Sequence, residues 1–179
     1  MFMKKIVTGV LALSLITTLA SANGLYVGAG VSIEDIESFG DNGQALELSL
    51  GTVFDNNFGV EGKFTKSINS AEGSEGAISA EMDVTTLSIF ATYNANLTPD
   101  FTLTPKLGFT NFKTDISATD GTLSASVDDT SRGFTFGLDA KYSITPNTKL
   151  YIGYTEYDPD FEGTSFDASQ IAFGVQQSF

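Results

Sequence analysis

The segment Ala168–Phe179 reads ASQIAFGVQQSF, and its side chains alternate between two kinds. Ile171, Phe173, Val175 and Phe179 fall on one set of alternate positions, with Gln177 as the polar exception, and small or polar residues stand between them. Because successive side chains of a β-strand point to opposite faces, this alternation predicts a strand with one apolar and one polar face. An aromatic residue at the end of such a strand is typical of a membrane β-barrel, in which the last strand closes against the first.

The same alternation recurs along the whole chain. It predicts eight strands, at residues 25–32, 44–54, 58–66, 84–94, 101–112, 133–144, 149–157 and 168–179. The connections after the second, fourth and sixth strands are short, whereas the other connections are longer and polar. We therefore predict an all-β fold, an eight-stranded antiparallel up-and-down transmembrane β-barrel with short periplasmic turns and four longer extracellular loops.

Two short features refine this prediction. Asp55-Asn56-Asn57 predicts a tight turn, because Asn and Asp tolerate turn dihedral angles. Pro105 lies inside the fifth predicted strand, where a proline removes a hydrogen-bond donor from the ladder. We expect a local bulge or break at this position.

The N-terminus is typical of a secretory signal peptide. A basic start precedes an apolar run and a small-residue site, at residues 4–5, 6–19 and 20–22. The apolar run is shorter than the roughly 20 residues that a transmembrane helix needs. We predict Sec-type export with cleavage after Ala22, so that residues 1–22 are a cleaved signal peptide and residues 23–179 form one outer-membrane β-barrel domain.

Charge and composition restrict the function. The formal net charge is −13; removal of Lys4 and Lys5 leaves 9 − 2 = 7 basic and 22 acidic residues, and 7 − 22 = −15. This balance argues against nucleic acid or an anionic lipid surface as a direct partner, because both need cationic patches. The chain has no His and no Cys, which excludes Ser-His-Asp and Cys-His nucleophiles and the commonest transition-metal ligands. We predict no enzymatic activity, no catalytic residue, no cofactor and no metal site.

Charged residues on the predicted inward faces form the main candidate site, a lumen charge network. They are Glu47, Glu61, Lys63, Lys106, Asp139 and Lys141. With a turn at residues 55–57, Glu47 and Lys63 fall diagonally opposite each other, within reach of long side chains. Eight strands enclose an interior just wide enough for side chains to fill, so we favour a network that plugs the barrel. The alternative is a gated, ion-selective narrow pore.

Aromatic residues cluster near the short turns. Phe54, Phe58, Tyr93, Phe101, Tyr142 and Phe179 are predicted to lie at the membrane interface. Most acidic residues lie in or beside the long connections, as in Asp158–Glu162, and we interpret them as solvated loops that present a surface to an unknown ligand. The alternative is divalent-cation binding, in which case calcium should raise the melting temperature.

The signal, the eight strands, the turn and loop alternation and the ending IAFGVQQSF resemble the small outer-membrane β-barrel families. These are the OmpA-like transmembrane domain, the OmpX/Ail-like group and the opacity-type porin family. The resemblance implies a multi-pass protein of the bacterial outer membrane, in contact with outer-membrane lipid and lipopolysaccharide. It also implies that the barrel-assembly machinery recognises the C-terminal strand. The sequence lacks the peptidoglycan-binding domain of full-length OmpA-type proteins, so the resemblance does not extend to cell-wall anchoring.

Three functions are compatible with this reading. The first is a structural or surface-interaction role, in adhesion or membrane integrity. The second is a narrow porin-like channel for ions or small solutes, and the third is a secreted soluble β-barrel that binds a ligand in its interior. The third differs from the others in the direction of the apolar face, which would have to point inward.

Overall fold

The computed structural model describes residues 24–36, 43–69, 71–75, 78–119, 124–161, 164–165 and 168–179. Within these residues the chain forms eleven strands. They are β1 Leu25–Ile36, β2 Gly43–Val53, β3 Phe58–Asn69, β4 Ala71–Glu75, β5 Ile78–Tyr93, β6 Ala95–Asn96, β7 Phe101–Thr119, β8 Ser124–Ser143, β9 Thr148–Phe161, β10 Thr164–Ser165 and β11 Ala168–Ser178. The signal peptide predicted at residues 1–22 lies outside the described residues, and its cleavage stays a prediction.

The eight long strands form a closed barrel. Each pairs antiparallel with its neighbours in the ring order β1, β2, β3, β5, β7, β8, β9, β11. The ring closes between β1 and β11, where the register runs from Tyr26 opposite Ser178 to Ile36 opposite Ala168. The predicted eight-stranded antiparallel barrel is therefore confirmed. Closure leaves no open edge within this ring, because every strand has a partner on both sides.

The apolar face points outward and the polar face points into the lumen. Large apolar side chains are exposed along every long strand, with Ile89 at 60% and Phe109 at 65% of full exposure. The buried residues are mostly Thr, Ser, Lys, Glu and Gln. A soluble barrel with an apolar interior, the third function considered above, does not have this arrangement and is excluded. No helix in the described part of the chain is long and apolar enough to cross a membrane.

The strands extend further toward the loop side than the sequence pattern predicts. Residues 67–83 and 113–131 were expected to be polar connections, but β3, β4 and β5 continue through most of the first and β7 and β8 through most of the second. Ladder pairing between β7 and β8 continues as far as Thr119 opposite Ser124. The apolar alternation stops where the outer face no longer needs to be apolar. The backbone hydrogen bonds between strands do not depend on this alternation, and Ser and Thr are compatible with strands.

The structure can be compared with two local predictions, the tight turn at residues 55–57 and the bulge or break at Pro105. Asn57 adopts a φ of 66°, and the amide of Phe58 donates to Asn56 Oδ1 at 3.2 Å, which confirms the tight turn. The register of β7 against β8 is continuous through Pro105, so there is no bulge on that side. On the other side the ladder is interrupted between β5 and β6, opposite Pro105, and resumes in the same register. The prediction of a break is confirmed, because proline has no N–H to donate there.

Candidate functional site

The barrel brings all six predicted lumen charges into one enclosed network. Four strands supply them, β2, β3, β7 and β8, and β9 contributes two hydroxyl partners, Tyr151 and Thr155. Each of the six residues is at most 4% exposed (Glu47, Glu61, Lys63, Lys106, Asp139 and Lys141). They lie on inward positions because successive side chains of a strand point to opposite faces and their immediate neighbours point outward, as Leu46 and Leu48 do on either side of Glu47.

The larger part of the network is a chain of four charges across the barrel. Lys106 Nζ lies 3.2 Å from Glu61 Oε1 and 2.8 Å from Asp139 Oδ1. Asp139 Oδ2 lies 3.7 Å from Lys141 Nζ, and Lys141 donates to Gln176 Oε1 at 2.9 Å. Glu61 and Asp139 come from β3 and β8, which are three positions apart in the eight-strand ring, so Lys106 links two separate parts of the lumen wall.

A second ion pair lies nearer the loop side. Lys63 Nζ is 3.6 Å from Glu47 Oε2, and the diagonal placement predicted for these residues is observed, with Lys63 opposite Ser49 in the ladder. The Tyr151 hydroxyl donates to Glu47 Oε1. Lys63 also donates to Thr155 Oγ1 at 3.2 Å and to Gln170 Oε1 at 3.0 Å. These contacts connect the pair to β9 and β11.

Gln170 extends the network to β1. Its side-chain amide donates to Ser32 Oγ at 2.9 Å and to Glu34 Oε1 at 3.3 Å, and its Oε1 also accepts from the Tyr157 hydroxyl at 2.9 Å. Gln170 is not among the residues predicted from the sequence. An amide can donate and accept at once, so it can join a lysine to a carboxylate, and a glutamine on an inward position is the signal that could have identified it.

Aromatic rings fill the space between the charges. Phe90 is fully buried, and the Nζ atoms of Lys63 and Lys106 lie 5.7 and 5.3 Å from its ring centroid. Lys141 Nζ lies 5.3 Å from the centroid of Tyr26. Such cation–π contacts favour a desolvated ammonium group. Phe90 stands alone among Thr and Ser on its strand face, and this contrast could have indicated its position.

Glycines on the lumen face make room for the large side chains. A Cβ at Gly51 would lie 2.4 Å from the Tyr26 ring, and a Cβ at Gly174 would lie 2.4 Å from the Tyr151 hydroxyl. These spacings are too short for any side chain, so each tyrosine packs directly on backbone. The lumen is consequently filled by side chains that cross it.

The six predicted charges balance one another, and the buried Glu34, which Gln170 joins to them, adds one further carboxylate. Among the described residues, the central network holds Lys63, Lys106 and Lys141 against Glu47, Glu61 and Asp139. Paired charges with further hydrogen bonds offset the high cost of removing ions from water. The arrangement can hold the walls together or form a barrier to ions, and both roles stay predictions.

The predicted interface aromatics lie at the turn end of the barrel. Phe58 and Tyr93 are opposite each other, with ring centroids 5.0 Å apart, and Phe101 is opposite Tyr142. All but the half-buried Phe101 are exposed (Phe54, Phe58, Tyr93, Tyr142 and Phe179). Their contact with a membrane interface stays a prediction.

The described residues contain no group of three or more acidic side chains that could hold a metal ion. The acidic loop residues Glu37, Asp41, Asp120, Glu162 and Asp167 lie outside the described residues. Calcium binding by the loops therefore stays an untested alternative.

Comparison with known families identifies the architecture. A family model described as the outer membrane protein beta-barrel domain matches residues 7–179. A comparison with curated protein sequences gave no match.

Solved structures with the same fold include three bacterial proteins. Neisserial surface protein A is 18% identical, with a TM-score of 0.65 over 88% of this chain and 98% of that chain. The attachment invasion locus protein Ail of Yersinia pestis, in complex with the heparin analogue sucrose octasulfate, is 15% identical, with a TM-score of 0.65 over 88% and 100%. The outer membrane protein OprG of Pseudomonas aeruginosa is 11% identical, with a TM-score of 0.60 over 88% and 96%. At these identities the likeness concerns the fold alone.

Proposed function

Because the chain belongs to the family of outer membrane protein beta-barrel domains and resides in the bacterial outer membrane, we propose that it is a closed, non-conducting barrel with a structural and surface-interaction role. The observation that carries this proposal is the paired, side-chain-filled lumen. The bridge from Glu61 through Lys106 to Asp139 crosses the interior with contacts of 3.2 and 2.8 Å. An ion in transit would have to displace these partners in a space that eight strands leave just wide enough for side chains.

The loop side supports the surface-interaction part of the proposal. Pairing between β8 and β9 begins at Arg132 opposite Asp160, whereas β7 and β8 remain paired up to Ser124. The segment Ser124–Ser131 therefore continues beyond β9 by roughly 25 Å along the strand, at about 3.3 Å a residue. A sheet that extends past the barrel offers a surface for adhesion or for contact with other molecules. Ail, which shares the fold, is by its name an attachment and invasion protein.

We propose a non-enzymatic role, supported by the absence of His and Cys from the sequence. Outer-membrane lipid surrounds the barrel, and lipopolysaccharide is its proposed partner on the outer leaflet. The outward row Ile171, Phe173 and Val175 of β11 supports recognition of this strand by the barrel-assembly machinery.

Planar bilayer recording tests the proposal. Barrels purified from outer membranes are expected to give no conductance steps above baseline, because the lumen pairs block the path. Lys113→Gln, which changes an exposed charge outside the lumen, serves as the control and should be equally silent. Regular conductance steps whose ion selectivity changes in Lys106→Gln would contradict the proposal and support the narrow porin-like channel.

A further inference from the structure

The basic residues of the barrel are unevenly placed. Seven remain after the predicted signal peptide: three lie in the lumen, and Lys149 lies at the turn end. The other three are exposed residues on neighbouring strands at the loop side, and we call them the basic rim patch: Lys66, Lys113 and Arg132. The net charge of the chain hides this local concentration.

The register places the basic rim patch on one side of the outer surface, across four successive strands of the eight-strand ring, β3, β5, β7 and β8. Lys66 and Lys113 both lie opposite Thr85 of β5, so the two lysines are two strands, or about 10 Å, apart. Arg132 is opposite Asn111 and therefore diagonal to Lys113, at roughly 7–8 Å. Asn111 Oδ1 accepts from Arg132 Nε at 3.2 Å and orients the guanidinium group.

Nearby acidic residues reduce the positive charge of the basic rim patch but do not neutralise it. Lys113 forms an exposed ion pair with Asp115 at 3.0 Å, and Asp83 lies opposite Asp115 in the row above. Exposed pairs of this kind are weak, so a doubly charged ligand can compete for the lysine. On other strands the outward positions at this level carry acids instead, Asp35 of β1 and Asp158 of β9.

An apolar groove lies directly below the patch on the outer wall. It has a volume of about 710 Å³ and is lined by Val60, Leu87, Ile89 and Phe109, with Asn111 and Arg132 at its upper end. Gly62 forms its floor, and a Cβ there would meet nothing nearer than the Leu50 carbonyl oxygen at 3.9 Å. The groove thus exists because one outward position in the apolar band has no side chain.

We propose that the basic rim patch and this groove together bind one phosphate-bearing lipid of the outer leaflet, with its phosphate on the patch and an acyl chain in the groove. The occupant must be both anionic and apolar, because cations and an apolar surface meet at the level where headgroups meet acyl chains. Cations near such a surface contribute measurably to lipid binding. This inference rests on the proposed lipopolysaccharide partner and gives it a site, but it does not involve the lumen, so a conducting barrel would leave the site intact.

Native mass spectrometry of barrels purified in detergent tests the site, with bisphosphorylated lipid A as the probe. The wild-type protein should retain one lipid A molecule, and the double variant Lys66→Gln/Arg132→Gln should raise the apparent Kd about tenfold or more. Lys149→Gln is the matched control, with a single charge removed at the turn end, and should not change binding. Gly62→Leu should fill the groove and weaken lipid A binding while the heat-dependent gel shift of the folded barrel persists.

Three results would overturn the proposal. Equal binding by the double variant would show that the patch does not hold the phosphate. Retention of zwitterionic phosphatidylcholine by the wild-type protein as strongly as lipid A would show that the groove is ordinary lipid-facing surface. Binding of water-soluble sucrose octasulfate that depends on Lys66 and Arg132 but not on Gly62, together with no retained lipid A, would assign the patch to a soluble anionic sugar.

Discussion

Lys106→Met is expected to lower the free energy of unfolding by about 3–5 kcal/mol, because it removes the shared partner of two buried carboxylates. Glu61 and Asp139 are each no more than 4% exposed, and both contact the Lys106 ammonium group, at 3.2 and 2.8 Å. Methionine retains the length of the side chain, so the loss would report charge rather than a cavity. Lys141 stays 3.7 Å from Asp139 and offsets only part of the free-energy cost of leaving the two buried carboxylates without Lys106.

Urea unfolding of barrels in lipid vesicles, followed by the gel shift, measures this loss. The control is Lys113→Met, whose ion pair with Asp115 has both side chains at least 42% exposed, so that about 0–1 kcal/mol is expected. Adding Glu61→Gln and Asp139→Asn to Lys106→Met should restore much of the stability, because no unpaired charge then remains. A loss below about 1 kcal/mol for Lys106→Met alone would mean that water or other groups already satisfy the two carboxylates.

Gly108→Ala is expected to destabilise the barrel by about 1–3 kcal/mol, the usual cost of overpacking. The added Cβ would lie 2.0 Å from the Ile89 carbonyl oxygen and 2.9 Å from Phe90 Cδ1. Gly108 is directly opposite Phe90 in the ladder, so the strand must shift or the ring must leave its place between Lys63 and Lys106. A single methyl group would therefore disturb both the ladder and the lumen network.

Gly62→Ala is the matched control, because it also adds one methyl group within a strand but has its nearest contact at 3.9 Å. It should leave stability unchanged or raise it by about 0.5–1 kcal/mol through the lower flexibility of the unfolded chain. Both variants are compared by the same urea unfolding. Equal stability of the two would show that β5 and β7 can separate at Gly108 without cost.

The fold was largely predictable because the two faces of a strand are chemically distinct. The run from Gly133 to Ile144 alternates without exception, and each of its apolar members is found on the outer wall. The strand ends at the loop side were not predictable. Above the apolar band the outer face becomes polar, so residues 113–131 lose the alternation although the backbone of residues 113–119 and 124–131 remains paired.

Six charged members of the lumen were predictable from their face, but the buried Glu34, beyond the end of the first predicted strand, and most of the neutral partners were not. Glu47 and Lys63 could be paired from the turn position alone, because they belong to consecutive strands. Gln170 and Lys63 are 107 residues apart in the chain, and only the closure of the barrel brings them together. The rim patch was missed for a related reason, since a net charge carries no information about which strands become neighbours.

The strict division between lipid-facing and lumen-facing positions has a consequence for how this chain can change in evolution. Insertion of one residue after Asp139 would reverse every face between that point and the next turn, which would place the Lys141 ammonium group in hydrocarbon and the Tyr142 ring in the lumen. Insertion of two residues would restore the faces but would move Lys141 one row away from Gln176. Gains and losses of residues among descendants of this sequence should therefore accumulate in the connections, while strand lengths within the bilayer remain fixed.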